Sequence, residues 1–292
     1  MRTPPDTVFD PRTLRLGREA ELELGPKSQV MGIVNVTPDS FSDGGLAVTT
    51  DAAVAAALSM REAGAAIIDI GGESTRPGAE PVDALEEQRR ILPVIEALGA
   101  HAGLLISVDT WRAETALLAL QRGAHLVNDV WGLQREPEIA KVAADAGAAV
   151  VIMHTGRERI CLPDLIEDQF FWFKASLEIA RRAGIGNDRI VLDPGFGFAK
   201  DAADNLELMA RFADLHALGL PLLAGTSRKR FIGGLTGREA PDRDVGTTAT
   251  SVVLRLAGAA MFRVHNVAFN IDGLAVADAM VQSSREKERG HG

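Results

Sequence analysis

Residues 104–130, LLISVDTWRAETALLALQRGAHLVNDV, contain the repeating unit that decides the fold. A short apolar run, residues 104–108, ends at Asp109, and a longer segment rich in Ala and Leu leads to a second apolar run, residues 125–130. A short strand, a helical segment and another short strand are typical of a βαβ unit, whose two strands are parallel. The stretch therefore predicts an α/β fold with a parallel sheet.

The same pattern recurs along most of the chain. The apolar runs cover residues 30–36, 66–70, 104–108, 125–130, 148–153, 189–192, 221–224 and 261–264. So many βα units in one chain favour a single closed (β/α)8 TIM barrel over an open sheet. End signals support the helices, because an acidic residue, Asp51, precedes a segment that stops at Gly64, and residues 163–182 stop at Gly184.

Three segments are predicted along the chain. Residues 1–29, which contain several Pro and Gly, precede the repeat and are expected to form an N-terminal arm or short hairpin that plugs or flanks the barrel. Residues 30–285 are predicted to form the barrel, and residues 286–292 a disordered tail. No charge run or low-complexity segment indicates a second domain.

Composition excludes several classes of protein. A chain of 292 residues that is 46% hydrophobic can bury a large core. With 31 basic and 40 acidic side chains the net charge is −9 and no basic block is present, which argues against nucleic acid as a partner. The single cysteine, Cys161, and the absence of a secretory signal favour the cytoplasm, and no apolar run is long enough to span a membrane.

Polar residues follow every apolar run. They are Asn35, Asp39, Ser40, Asp69, Asp109, Asn128, Asp129, His154, Asp193, Ser227, Arg228, Lys229, Arg263 and His265. Met153 lies at the same level, at the end of the fifth run. In a TIM barrel the ends of the strands meet at one mouth, where active sites form. Since buried polar groups without partners cost a few kcal/mol each, their accumulation there predicts a polar ligand.

The acidic and amide residues suit a flat heterocycle. Asp109, Asn128 and Asp193 offer acceptors that could take parallel N–H donors from the edge of such a ring. The alternative, that the two acids cap the following helices, stays open. Asn128 lies in an apolar context, where an amide without a partner is expensive.

A basic set is expected on the opposite side of the mouth. It comprises Arg76, Lys229, Arg263 and His265, with Arg228 and Arg230 beside the lysine. The last two strands of TIM barrels commonly bind phosphate, and guanidinium groups match phosphate oxygens. Arg228 and Arg230 could instead be solvated residues at the start of a helix.

The polar loop of residues 35–45 could fold over a substrate. Because Mg²⁺ prefers oxygen ligands and is usually completed by water and substrate phosphates, the amide oxygen of Asn35 could contribute one ligand. Asn35 could equally be a turn residue.

Residues 31–45, MGIVNVTPDSFSDGG, resemble the first signature of the dihydropteroate synthase family. Further motifs follow in the family's order: DIGGESTRPGA at 69–79, SVDT at 107–110, VNDV at 127–130, LDPGFGF at 192–198, SRK at 227–229 and RVH at 263–265. The resemblance covers residues 30 to 280 approximately, and the motifs are highly specific because they occur together in one chain.

The resemblance implies a transferase of folate biosynthesis. Such enzymes condense 4-aminobenzoate with 6-hydroxymethyl-7,8-dihydropterin diphosphate, giving dihydropteroate and pyrophosphate; they require Mg²⁺, are usually homodimers, and are inhibited by sulfonamides that compete with the aminobenzoate.

The family's residue roles transfer to matching positions. The resemblance assigns the pterin to Asp109, Asn128, Met153, Asp193, Gly225 and Lys229. It assigns the diphosphate to Asn35, Arg76, Arg263 and His265, with Asn35 also binding Mg²⁺. It assigns the aminobenzoate to Thr75, Pro77, Phe198 and Arg230. It makes Asp109, Lys229 and Arg263 the catalytic residues.

Two departures from the family pattern weaken parts of this transfer, the first at the expected contact to the aminobenzoate carboxylate and the second in a loop that stays unassigned. Arg230 stands where the family usually has Ser. Residues 155–160, TGRERI, form a shorter loop that lacks the family's usual Gln-Gly and later Met-Gln. Three other functions stay open: a pterin-dependent methyltransferase, a Schiff-base aldolase that uses Lys229, and a pterin-binding paralogue without activity.

Overall fold

The computed structural model describes residues 2–37, 46–73 and 82–289. Eight parallel strands form the central sheet: β3 (Gln29–Asn35), β4 (Ile67–Gly71), β5 (Leu105–Asp109), β6 (Leu126–Asp129), β7 (Ala149–Met153), β8 (Ile190–Asp193), β9 (Leu223–Ala224) and β10 (Met261–Val264). Their order is β8-β7-β6-β5-β4-β3-β10-β9. A parallel bridge between Leu192 and Leu222 joins the two edges and closes the barrel. The predicted TIM barrel is confirmed, since every predicted run overlaps one strand.

Helices alternate with these strands. They are α1 (Leu46–Glu62), α2 (Ala84–Gly99), α3 (Ala113–Gln121), α4 (Glu138–Asp145), α5 (Leu165–Ala183), α6 (Ala202–Ala210), α7 (Arg230–Thr236), α8 (Asp244–Leu256) and α9 (Val267–Arg289). Short 3-10 helices cover Asp6–Phe9, Asn187–Arg189, Phe212–Leu218 and Ala240–Asp242.

The ends of α5 follow the predicted signals. The Asp164 carboxylate accepts hydrogen bonds from the backbone N–H groups of Ile166 and Glu167, which caps the helix start. Gly184 ends the helix in the left-handed conformation, with φ 89°. The start predicted at Asp51 is wrong, because α1 begins at Leu46 and Asp51 lies within it. An Ala-rich helix can continue through an acidic residue at little cost.

An N-terminal hairpin plugs the barrel. Strand β1 (Arg12–Arg15) pairs antiparallel with β2 (Glu21–Leu24). Leu14, Leu16 and Leu24 are buried against inward-facing barrel residues such as Met31 and Met261. The predicted hairpin is therefore present and seals the end of the barrel at which the strands begin.

Side chains that point into the barrel change from apolar to polar along the strands, toward the open mouth. Alternate residues face inward, so Ile67, Asp69 and Gly71 of β4 succeed one another from the plugged end to the open mouth. The lowest inward positions are apolar and pack on the hairpin, whereas the upper positions include Asp69 and Asp109. The two-residue period of the strands thus places the polar residues in one layer, at the mouth.

A buried arginine, Arg255, connects the N-terminal segment and the last helix to the barrel. Arg255 of α8 is fully buried, pairs with Asp278 of α9 at 2.5 Å and donates to the carbonyl oxygen of Gly25 at 2.8 Å.

Helix α9 continues to Arg289, four residues into the segment predicted as a tail. The division at residues 29 and 285 stays a prediction. Of the described helices, none combines the length and apolar character needed to cross a membrane.

Replacing Leu14 by Ala should lower the free energy of unfolding by about 2–5 kcal/mol, because it leaves a cavity between the hairpin and the barrel floor. Urea unfolding measures this effect. Leu85→Ala, at a side chain that is 76% exposed, is the control and should change stability by less than about 0.5 kcal/mol. Equal effects of the two substitutions would show that the hairpin does not stabilise the barrel.

Candidate active site

A buried carboxylate, that of Asp69, lies within the barrel beneath the mouth. It is fully buried on β4, between Ile68 and Ile70, which face the helices. Its Oδ2 accepts a hydrogen bond from Nδ2 of Asn128 at 3.2 Å. Its Oδ1 has no hydrogen-bond partner within the described part of the chain, nor has the neighbouring Oγ of Ser107. A charge in this position requires a cation.

Arg263 supplies that cation and joins two strands. Its Nε lies 2.6 Å from Oδ2 of Asp69, and its terminal nitrogen donates to Oδ2 of Asp109. The expectation that Arg263 lies opposite the acids is wrong. Arg263 and Asp69 both point inward from nearby strands, and the narrow barrel brings the guanidinium between the two carboxylates.

Burial shifts the protonation of Asp109 and Lys229 in opposite directions. Burial raises the pKa of Asp109 to about 7, although the positive charge of Arg263 opposes the shift. Burial lowers the pKa of Lys229 to about 7, against the attraction of Asp193. Both groups therefore titrate near neutral pH, which is common at functional sites.

The other predicted pterin residues surround this ion pair. Asn128 and Met153 are buried at the ends of β6 and β7. Asp193 ends β8 and accepts a hydrogen bond from the backbone N–H of Gly195 at 2.7 Å. Gly225 lies so close that a Cβ atom there would be 3.4 Å from Oδ2 of Asp193. Acceptors from three strands thus border one space.

Lys229 reaches the mouth under the loop that follows β8. Its Nζ donates to the carbonyl oxygen of Phe196 and lies 4.5 Å from the ring centroid of Phe198. Gly197 has φ +75°, which favours glycine, and a Cβ atom there would lie 2.9 Å from Cδ of Lys229. Phe198 is thereby placed beside a cation, as an aromatic wall of the mouth.

The predicted diphosphate residues lie on the adjoining rim. His265 directly follows β10, and its Nδ1 is 2.9 Å from Oγ of Ser227. Asn35 ends β3 beside Gly71, which in turn is the register neighbour of Asp109. Arg76, Thr75 and Pro77, as well as Asp39 and Ser40, lie outside the described residues.

Two arginines beside Lys229 are not part of this cluster. Arg228 forms a bidentate ion pair with Asp244 at 2.7 and 2.8 Å, which holds the loop to α8. Arg230 is exposed as the first residue of α7. Asp129 has a structural role as well, since its carboxylate accepts backbone N–H groups of Trp131 and Leu133.

A buried network stands behind Phe198, in the region that sequence left unassigned. Lys200 donates to Nδ1 of His154 at 2.9 Å, so Nε2 carries the proton and donates to Asp168 at 2.9 Å. Arg159 also donates to Asp168. Lys200 further donates to the carbonyl oxygen of Gly195 at 3.0 Å and that of Phe198 at 3.4 Å, which fixes the loop after β8.

Burial controls protonation in this network. It lowers the pKa of His154 to about 4, so the imidazole is neutral at physiological pH. Burial lowers the pKa of Lys200 to about 8. Burial alone would raise the pKa of Asp168, but the hydrogen bonds from His154 and Arg159 outweigh it and hold this pKa well below its usual range.

Sequence reasoning placed Asp69 at the mouth without giving it a role, and it missed Lys200 and Arg157, whose guanidinium carbon lies 4.5 Å from the ring centroid of Phe198. The role of Asp69 could have been found, because a carboxylate inside an otherwise apolar strand requires a buried partner. Lys200 and Arg157 lie in loops with no periodic pattern, so only the fold shows their neighbours.

Metal binding has little support from protein ligands alone. Within residues 2–37, 46–73 and 82–289, no group of three or more His, Cys, Asp or Glu side chains could hold a metal ion. Asn35 offers one neutral oxygen at the rim. This donor set fits Mg²⁺ only if phosphate and water oxygens complete its coordination.

Arg263→Met should lower the free energy of unfolding by about 3–5 kcal/mol at about pH 8, because two buried carboxylates lose their cation. Without Arg263 the pKa of Asp109 rises further, so the folded state takes up a proton and the loss should shrink at about pH 5.5. Urea unfolding at both pH values measures this. Arg182→Met, at an exposed arginine, is the control; an Arg263→Met effect that does not depend on pH would contradict this assignment.

The protein should lose stability as the pH falls from about 6.5 to about 4, because unfolded His154 binds a proton in this range and the folded imidazole does not. The shift corresponds to at most about 3 kcal/mol. In His154→Gln, the slope of unfolding free energy against pH should flatten over this window, as measured by urea titrations. His101→Gln, at an exposed histidine, should leave the slope unchanged; equal slopes in wild type and His154→Gln would refute the assignment.

Comparisons with known proteins show the family to which the chain belongs. The family model described as pterin binding enzyme matches residues 31–265. A curated relative from Bacillus subtilis named dihydropteroate synthase is 45% identical over 253 residues, which cover 86% of this chain and 87% of that protein.

Solved structures agree as well. The structure of a dihydropteroate synthase from Clostridium difficile determined in the presence of pteroic acid has a TM-score of 0.86 and 44% identity, covering 89% of this chain and 98% of that one. A Xanthomonas albilineans dihydropteroate synthase with 4-aminobenzoic acid has a TM-score of 0.87 and 44% identity, covering 93% and 98%. By sequence and fold, the chain belongs to the pterin-binding enzyme family and, within it, to the dihydropteroate synthases.

Proposed function

We propose that this chain condenses 4-aminobenzoate with 6-hydroxymethyl-7,8-dihydropterin diphosphate, releasing pyrophosphate and forming 7,8-dihydropteroate in folate biosynthesis. One observation carries the proposal: carboxylate and amide acceptors converge with Lys229 and Arg263 at one mouth of the barrel. The named relatives support it, as most of this chain and most of each relative align.

The acceptors suit the pterin. The carboxylates of Asp109 and Asp193 and the amide of Asn128 would take the N–H donors of the ring edge, with Met153 and Gly225 shaping the pocket. Arg263 engages only one oxygen of Asp109 in the ion pair, so the second oxygen can accept from the ligand. Ligand donors favour the ionised carboxylate, which offsets the burial that raises the pKa of Asp109.

The cations suit the leaving group. Arg263 and His265 on β10 and its loop, with Arg76, would bind the diphosphate. Asn35 would hold Mg²⁺, which supplies charge neutralisation at the phosphate oxygens. Phe198, with Thr75 and Pro77, would enclose the amine substrate, where sulfonamides would compete.

Charge stabilisation drives the proposed reaction. The bond between the pterin methylene carbon and the diphosphate oxygen breaks, and the electron pair leaves with the diphosphate. Asp109 stabilises the delocalised pterin cation, and the amine nitrogen then forms the new C–N bond and releases a proton. Arg263 donates to Asp109 and is itself proposed to bind the diphosphate, so it would link the two halves of the site. No covalent intermediate with a side chain is needed.

One observation favours a second candidate, a Schiff-base aldolase. Burial lowers the pKa of Lys229 to about 7, as a nucleophilic lysine requires. The same ammonium, however, donates to the carbonyl oxygen of Phe196 and lies over the ring of Phe198, which suits a binding residue. A pterin-dependent methyltransferase would give no role to the cations of β10.

We also propose that the protein is a cytoplasmic homodimer. Helix α9 exposes Phe269, Val276 and Met280 on one face, and α8 exposes Val245 and Val253, so a second copy could cover these apolar residues. The single cysteine supports a reducing compartment.

Pyrophosphate release by the purified protein tests the activity. Release should require pterin diphosphate, 4-aminobenzoate and Mg²⁺ together, and should stop when any one is omitted. Asp109→Asn should lower kcat/KM by about 100-fold, because it removes the charge that faces the pterin cation. Asp145→Asn, at an exposed aspartate, is the matched control and should be as active as wild type.

The alternatives give other results. A paralogue without activity would release no pyrophosphate with all components present. An aldolase would be trapped on Lys229 by borohydride in the presence of a carbonyl substrate. Full activity of folded Asp109→Asn would exclude the proposed role of the carboxylate.

A further inference from the structure

Two carboxylates lie at different depths inside the barrel. Asp69 on β4 is the register neighbour of Ser107, and Asp109 lies two residues further along β5. Side chains two residues apart on a strand point the same way, so Asp69 lies one inward step nearer the closed end than Asp109. A line from the first carboxylate to the second therefore runs toward the mouth.

The guanidinium of Arg263 follows this line. Its Nε donates to the deeper carboxylate, that of Asp69, at 2.6 Å, and its Nη2 donates to that of Asp109. Nε and Nη2 form one edge of the planar group, and the two carboxylates occupy that edge. The terminal end, formed by Nη1 and Nη2, consequently faces the mouth, where 20% of the side-chain surface of Arg263 is exposed.

Asp69 fixes the plane of this guanidinium. Asp109 alone would leave the group able to rotate about one contact, whereas contacts to two strands hold it in one orientation. Asp69 is fully buried, and its Oδ2 also accepts a hydrogen bond from Asn128 at 3.2 Å. The orientation is thus set before a ligand arrives, which lowers the entropy that binding costs.

The hydrogen bonds of Arg263 leave its terminal end for a ligand. Across residues 2–37, 46–73 and 82–289 these bonds go to Asp69 and Asp109, both through the other edge. The terminal N–H groups match the spacing of two oxygens on one phosphate group. An anion at the mouth would therefore meet a guanidinium that is already oriented.

Resting on the proposed function, we propose that Asp69 is a positioning residue, which holds Nε of Arg263 and thereby presents the terminal N–H groups to the diphosphate of the substrate. Asp69 does not touch the substrate. Its oxygen matters as an acceptor for Nε, while its negative charge opposes the binding of an anion.

Two substitutions separate the acceptor from the charge. Asp69→Asn keeps an oxygen for Nε, and its amide nitrogen takes the place of Oδ1, which has no partner within the described part of the chain. Asp69→Leu has a similar size and no acceptor. Both variants leave Arg263 and Asp109 as a balanced ion pair, so both are expected to fold.

Calorimetry with inorganic pyrophosphate and steady-state kinetics test the role. Asp69→Leu should weaken pyrophosphate binding and raise the KM for pterin diphosphate about tenfold, with the KM for 4-aminobenzoate unchanged. Asp69→Asn should bind pyrophosphate at least as tightly as wild type. Glu87→Gln is the control, because it removes another buried carboxylate, which pairs with Arg112, and it should bind like wild type.

Nuclear magnetic resonance reports the orientation directly. The Nε–H of Arg263, identified by its loss in Arg263→Lys, should exchange slowly with solvent in wild type and Asp69→Asn and fast in Asp69→Leu. Equal weakening of pyrophosphate binding in both Asp69 variants, or unchanged binding and exchange in Asp69→Leu, overturns the inference. If Asp69→Leu does not fold, Asp69→Asn decides: slow exchange with tight binding supports the role, and loss of either overturns it.

The same measurements separate this inference from the proposed function. If pyrophosphate binding follows the expected order but wild type releases no pyrophosphate from pterin diphosphate and 4-aminobenzoate, the positioning role stands and the activity falls. If wild type is active while Asp69→Leu keeps its KM for pterin diphosphate, the inference is overturned and the activity stands. Failure of wild type to bind pyrophosphate also overturns the inference.

Discussion

The guanidinium of Arg263 holds the open end of the barrel together. It lies between the carboxylates of Asp69 and Asp109, which come from adjacent strands and would repel each other in a site shielded from water. Asn128 extends the contact to a third strand through Asp69. The mouth therefore contains several charged side chains in place of a packed apolar layer. A polar ligand would form hydrogen bonds with these side chains.

The closed end supplies the stability that the mouth lacks. Leu14, Leu16 and Leu24 of the hairpin cover the lowest apolar layer, so the interior is packed where no ligand enters. Since each strand alternates inward and outward residues, Asp69 and Arg263 of the ion pair are the next inward positions after the floor residues Ile67 and Met261. Floor and site are consequently parts of one column of side chains, and a shift in register would disturb both.

Sequence predicted the barrel and most inward-facing site residues because strand periodicity is local. Asp109, Asn128 and Asp193 each end an apolar run, and parallel strands bring such ends together. It could not predict that Arg263 lies among the acids, since this depends on the width of the closed barrel. Nor could it place Arg157 or Lys200, because loop residues have no period that fixes their direction.

The aromatic wall formed by Phe198 is supported from behind. Lys200 donates hydrogen bonds to two carbonyl oxygens of the loop, and its own position depends on His154 and Asp168. Under the proposed function this ring borders the amine substrate, so a drug that imitates the amine would contact it. A substitution of Asp168 on helix α5 would move the ring of Phe198 and leave the pterin half of the site in place. Resistance would then arise at a residue that the inhibitor does not contact.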